Sequence, residues 1–140
     1  MNVMARGYRN CNPGNIIHSR VRYKGEIVPS ADPKFKQFEN MAWGFRAIFV
    51  LLDTYRRKYG LNTLQQMINR YAPPCENDTT GYVGFITSRT RIADMSTVDT
   101  RNEKQMIPLV TAIARMENGA EPDPDDVRKG WELFCQKDNE

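Results

Sequence analysis

Histidine is almost missing from this chain: His18 stands alone among 140 residues. A single histidine supplies no His-containing metal constellation, and it stands in no His–Ser or His–Cys motif for nucleophilic catalysis. His18 therefore reads as a structural or exposed residue. Cysteine is scarce too. Cys11, Cys75 and Cys135 are odd in number, far apart and without CxxC spacing, which argues against a zinc site or a disulfide framework and for reduced thiols. No run approaches the roughly 18 apolar residues of a membrane-spanning helix, and the N-terminus lacks the apolar core of a secretory signal. There is no internal repeat and no low-complexity tract. No metal or cofactor is implied.

What remains is ordinary for a globular protein. The hydrophobic fraction is 40% and the charged fraction 26%. A chain of 140 residues fits one domain, 1–140, with a core that needs no staples. Net charge is +3 and the pI is near 8.8, which suits an anionic polymer such as cell wall or nucleic acid without choosing between them. Basic residues dominate the first 60 positions, and the one acidic run, 123–126, lies near the end.

Residues 1–40 are dense in turn formers and read as irregular with short strands. Asn12-Pro13-Gly14-Asn15 fits a type II turn, with Pro second and Gly third. Val21 to Val28 suits a small hairpin turning at Lys24-Gly25, and Phe35 to Phe38 alternates like a strand. Helical spacing then takes over. The first helix, 42–58, carries Phe45, Ile48, Phe49, Leu52 and Tyr55 on one stripe and ends at Gly60. A second, capped by Asn62 or Thr63, runs to Tyr71 and stops at Ala72-Pro73-Pro74. A third starts at Asn77-Asp78-Thr79, with Tyr82, Val83 and Ile86 on one face. A loop over 91–101 precedes a helix from about Asn102, which Pro108 kinks or restarts. The last helix opens at Asp123-Pro124, the order of an N-cap and a first helical proline, and buries Val127, Trp131 and Phe134. The fold class is α+β, mainly α, with a small β-containing lobe at the front.

Glu117 is the first candidate for chemistry. It sits in the last turn of a helix whose apolar positions 106, 109, 110, 113 and 116 mark a buried face, with Gly119 as C-cap. Negative partial charge at a helix C-terminus and apolar walls both raise a carboxyl pKa. A carboxylic acid held protonated near neutral pH is what protonation of a glycosidic oxygen needs. A solvated Glu at a frayed helix end is the plainer alternative. An ordinary glycosidase needs a second carboxylate. Glu26, Asp32 and Glu39 are available in the front lobe, and Glu26, on or beside the hairpin, is the preferred candidate among them, with a surface charge on a loop as the equally available alternative. Asn12 and Asn15 can donate to and accept from sugar hydroxyl and acetamido groups, or merely support their own turn. Tyr71 can stack on a sugar or offer its hydroxyl. Glu76 and Asp78 read as helix caps.

Arg6-Gly7-Tyr8-Arg9-Asn10-Cys11-Asn12-Pro13-Gly14-Asn15-Ile16 resembles the "RGIRNNNPGNIR" opening of a family of small phage and prophage proteins described as structural protein P5-like or lysozyme-like. Cys11 replaces the usual asparagine. The resemblance continues through Asp32 to Glu39, Trp43 to Ala47, Arg70 to Thr79, Glu117 to Gly119 and Gly130 to Leu133, nearly the whole chain. At greater distance, Leu109 to Gly119 looks like the catalytic helix, roughly "aIa.ESG", of bacterial glucosaminidases and lytic transglycosylases. Asn12 to Ile17 looks like their "NNLFGIK" turn, and Tyr71-Ala72-Pro73-Pro74 with Asp78 to Tyr82 looks like their "YATDPNYa.k" segment. The Glu helix follows these parts here and precedes them there, which implies a circularly permuted lysozyme-like domain.

The resemblance implies a peptidoglycan glycan-strand hydrolase (a muramidase or glucosaminidase) or a lytic transglycosylase. Glu117 is the expected acid, Glu26 the second carboxylate, and Asn12, Asn15 and Tyr71 the cleft lining. The expected partners are glycan strands and virion components, with no nucleic acid and no membrane. Synthesis in the bacterial cytoplasm, then release by lysis or a virion, would bring it to the wall. A non-catalytic virion structural or cell-wall-binding protein is the competing class. A basic nucleic-acid binder comes last, because no recognised binding motif accompanies the charge.

Overall fold

The computed structural model describes residues 4–136. Among these the architecture is mainly helical with one two-stranded antiparallel sheet, so the α+β, mainly α class holds. The elements run α1 (Arg6–Arg9), β1 (Glu26–Ile27), β2 (Gln37–Phe38), α2 (Met41–Tyr59), α3 (Leu64–Tyr71), α4 (Thr79–Thr90), α5 (Glu103–Asn118) and α6 (Pro124–Cys135). No described helix is long and apolar enough to cross a membrane.

Helix α2 is the axis. Asn40 caps it by accepting from the Trp43 N–H, and Gly60 ends it in the left-handed region at φ 66°. Phe45, Ile48, Phe49 and Leu52 are fully buried along its inner stripe. Each such side chain contributes roughly 1.5–3 kcal/mol on leaving water. Helix α6 packs along α2. The Phe49 ring meets Trp131 edge-on at 5.1 Å and stacks on Phe134 at 5.9 Å. A side chain at Gly130 would collide with Phe45 and the Arg46 backbone, so glycine sets the closeness of the two helices. Asp123 caps α6 and Pro124 opens it, as the sequence predicts.

Thr63 and Gln66 form a reciprocal capping box at the start of α3. Asp78 caps α4 through the Gly81 N–H. Asn102 caps α5, which runs unbroken past Pro108 to Gly119 at φ 72°. Pro108 lies on an exposed face, where the lost backbone donor costs least.

The front lobe differs from its sequence reading in three places. One helical turn, α1, forms where irregular chain is expected. The Asn12 carbonyl accepts from the Asn15 N–H at 3.0 Å, closing the expected turn, but the positive φ falls on Asn15 at 50° and not on Gly14. The turn is therefore not type II. Gly14 is small because a side chain there would meet the Tyr71 hydroxyl and Ile48. The chain does turn at Lys24-Gly25, with Gly25 at φ 79°, yet β1 pairs with β2 and not with residues 21–23. The buried Lys36 ammonium takes the Val21 carbonyl, which the expected hairpin would have paired, and that of Ser19 just before it.

Candidate functional site

The end of α5 folds back onto the N-terminal turn. Asn118 donates to the Pro13 carbonyl at 2.8 Å and accepts from the Tyr8 N–H at 3.2 Å. These bonds span 105 and 110 residues of sequence. They place the preceding residue, Glu117, against the Asn12–Asn15 turn.

Both carboxyl oxygens of Glu117 are occupied. Asn15 Nδ2 donates to Oε1 at 3.0 Å and, less closely, to the Glu117 backbone carbonyl at 3.3 Å. The Tyr82 hydroxyl donates to Oε2 at 2.7 Å. Desolvation raises the Glu117 pKa above the ordinary value, and the two hydrogen bonds to the charged form only partly oppose it. No cation pairs with it among the described residues. Tyr82 is buried, and its own burial and the Glu117 charge push its phenol far above the usual value, so it remains a neutral donor. Glu117 opens on a cavity of about 390 Å³ lined also by Asn77, Asp78, Gly81, Tyr82 and Met116.

The other predicted residues divide. Asn15 is at the site. Tyr71 stands behind it, partly buried, with its hydroxyl given to the Gly14 carbonyl. Burial and the nearby Glu117 charge raise its pKa well above the ordinary value. Asn12 is fully buried and structural: Nδ2 donates to the carbonyls of Ile16 and Lys36, and Oδ1 accepts from the Ile16 N–H, each at 2.9 Å. It has no free group for a sugar. Glu26 is not in the Glu117 cavity. Its Oε2 pairs with Lys36 Nζ at 3.0 Å and its Oε1 accepts from the Tyr23 N–H, with only 6% of the Glu26 side chain and 1% of the Lys36 side chain exposed. A buried ammonium needs a carboxylate partner, and that requirement places Glu26. Asp32 is likewise engaged, bidentate with Arg6 at 2.7 Å.

Sequence reasoning missed Tyr82 and Asn118. Tyr82 looks like one more apolar position on the inner face of α4. Asn118 looks like an ordinary residue before a glycine cap. Asp78 was correctly read as a cap, but it also lines the Glu117 cavity.

No protein-family model matches the chain. It is 36% identical over 136 residues to Protein P5 of Pseudoalteromonas phage PM2, an alignment covering 94% of this chain and 83% of that protein. Identity at that level over nearly all of this chain and most of the relative defines a phage protein class. The chain belongs to the Protein P5 family.

Proposed function

We propose that this protein cleaves the β-1,4 glycan strands of peptidoglycan, as a hydrolase or lytic transglycosylase, on a circularly permuted lysozyme-like domain. The observation that carries this reading is the Glu117 carboxyl: largely desolvated, without a cation partner among the described residues, oriented by Tyr82 and Asn15, and open to a cavity. Its placement against the N-terminal turn from the far end of the chain supports the permuted order.

Protonated Glu117 gives its proton to the glycosidic oxygen as the bond from that oxygen to the anomeric carbon breaks. The sugar cation is captured by water in a hydrolase, or by the sugar's own hydroxyl in a transglycosylase. Glu117 takes back the proton released by that capture. With Glu26 held by Lys36, Asp78 across the cavity is the carboxylate available to steady the cation or a water. The transglycosylase route needs neither. Delivery by lysis or by a virion fits a phage protein that acts on the wall.

Digestion of purified peptidoglycan by the wild type and by Glu117→Gln, with products read by mass spectrometry, tests the reading. Activity lost in a folded Glu117→Gln supports it, and anhydro or reducing ends name the reaction. A wild type inert on several wall types overturns it in favour of a non-catalytic virion or wall-binding role.

A further inference from the structure

A second site lies one residue away from the first. Asn15 holds Glu117, and the next residue, Ile16, lines a groove of about 580 Å³ between the front lobe, α2 and α3. On α3 the same step recurs: Tyr71 backs the Asn12–Asn15 turn, and Arg70 faces the groove. Neighbouring Cα atoms are about 3.8 Å apart, so the groove and the Glu117 site share a wall.

The groove is unlike the rest of the molecule. Arg22, Lys24, Arg46, Arg57, Arg70 and Arg101 line it, with Asp53 as its one carboxylate. Lys24 and Arg46 have other interactions, so the charge that carries the site is that of Arg22, Arg57, Arg70 and Arg101 against Asp53, a net excess of three positive charges among the described residues. Asp53 does not neutralise it. That buried carboxylate is shared by Arg57 at 2.7 Å and Arg101 at 3.2 Å, which leaves a positive charge over. Arg70 makes no ion pair among the described residues. Its guanidinium lies over the Tyr59 ring at 4.0 Å and the Tyr55 ring at 5.4 Å, which fixes its plane and leaves its N–H edge free. Arginines held on aromatic faces present a rigid fork to an oxyanion.

We propose that this groove binds the carboxylate-bearing stem peptides of peptidoglycan, beside the glycan strand that Glu117 cuts. The assignment rests on the glycan-cleaving reading for its substrate. Size and charge pattern favour a short peptide with several carboxylates over a nucleic acid. Such a peptide fits inside a groove of this volume. A polyphosphate strand would run on past it, and tighter binding of such a strand is the outcome that would reassign the groove.

Binding of the free stem pentapeptide, measured by calorimetry, tests this without requiring cleavage. The wild type should bind it, and the fully amidated pentapeptide should bind at least 10-fold more weakly. Arg22→Gln/Arg70→Gln should also lose at least 10-fold, while Lys104→Gln/Lys129→Gln, which removes the same charge elsewhere, should keep wild-type affinity. Circular dichroism confirms that both variants are folded. Equal binding of the amidated peptide, equal loss in the control variant, or no binding by the wild type overturns the proposal. So does tighter binding of a dT12 oligonucleotide at equal salt. A protein that binds the peptide but never cuts the glycan keeps this site and loses the hydrolase reading.

Discussion

Asn15 reaches Glu117 across 102 residues of sequence, giving one amide hydrogen bond to its carboxylate at 3.0 Å. It does so from a left-handed backbone, φ 50°, a region that asparagine tolerates and most residues avoid. The amide oxygen is buried with no hydrogen-bond partner among the described residues, so the side chain is held by what its nitrogen donates. Asn15 is thus shaped for Glu117 twice, once by conformation and once by chemistry.

Asn15→Gly separates the two. Glycine keeps the positive φ at little cost, and the donor is lost. Because that hydrogen bond lowers the Glu117 pKa, removing it should move the high-pH limb of the activity profile upward and reduce kcat about 10-fold through poorer orientation. Tyr82→Phe should move the limb the same way from the other oxygen, its ring still filling the core. A pH–rate series on peptidoglycan checks both, and unmoved profiles would remove these residues from the site.

Glu26→Gln addresses the carboxylate that sequence reasoning preferred. It leaves the Lys36 ammonium buried beside a neutral amide, a loss of about 3 kcal/mol. Lys36→Met added to Glu26→Gln should recover part of it. Urea unfolding gives both values. Glycan cleavage by the folded fraction of Glu26→Gln should match the wild type, whereas abolition would return Glu26 to the chemistry.

Asn12→Ala should cost stability, not affinity. It strands the Ile16 N–H and removes the donor to the carbonyls of Ile16 and Lys36. At least about 2 kcal/mol follows from unsatisfied buried groups. A lowered midpoint in urea, with KM unchanged at a temperature where the variant is folded, is the expected pair of results.

These residues also mark how far the sequence could be read. The helices were legible because caps and periodicity are local: Thr63 with Gln66, Asp123 with Pro124, and the apolar steps leading to Glu117 each lie within a turn or two. The direction of the Glu117 pKa is expected from its helix end and apolar face, but burial is its cause in the structure, and Met116, expected on the buried face, is exposed. The partners of Glu117 were not legible. Tyr82 is 35 residues away and Asn15 is 102, and no spacing encodes a hydrogen bond over such distances. The front lobe misled for a different reason. Gly14 signalled a type II turn but is needed for clearance from Tyr71, and nothing in the sequence marks Lys36 as the buried ammonium that binds the Val21 carbonyl. A polar residue carries one letter whether it faces water or the core.

The last prediction sets function against stability at Glu117. Its folded pKa lies above the ordinary carboxyl value, because burial penalises the charged form more than its two donors favour it. As pH rises through the unfolded value, the unfolded chain loses its proton first and is thereby stabilised. The folded protein therefore loses stability from that point until pH passes the folded pKa, and stays lower above it. Glu117→Gln has no such loss. Its amide oxygen can accept from Asn15 and its amide nitrogen can donate to the Tyr82 oxygen, so both contacts survive. The variant should match the wild type in acid, gain on it through the window between the two pKa values, and hold a constant advantage above, a few degrees in Tm at neutral pH. Thermal unfolding of both proteins across that range measures it. A difference that stays flat with pH would mean that Glu117 ionises normally, and the acid role would fall with it.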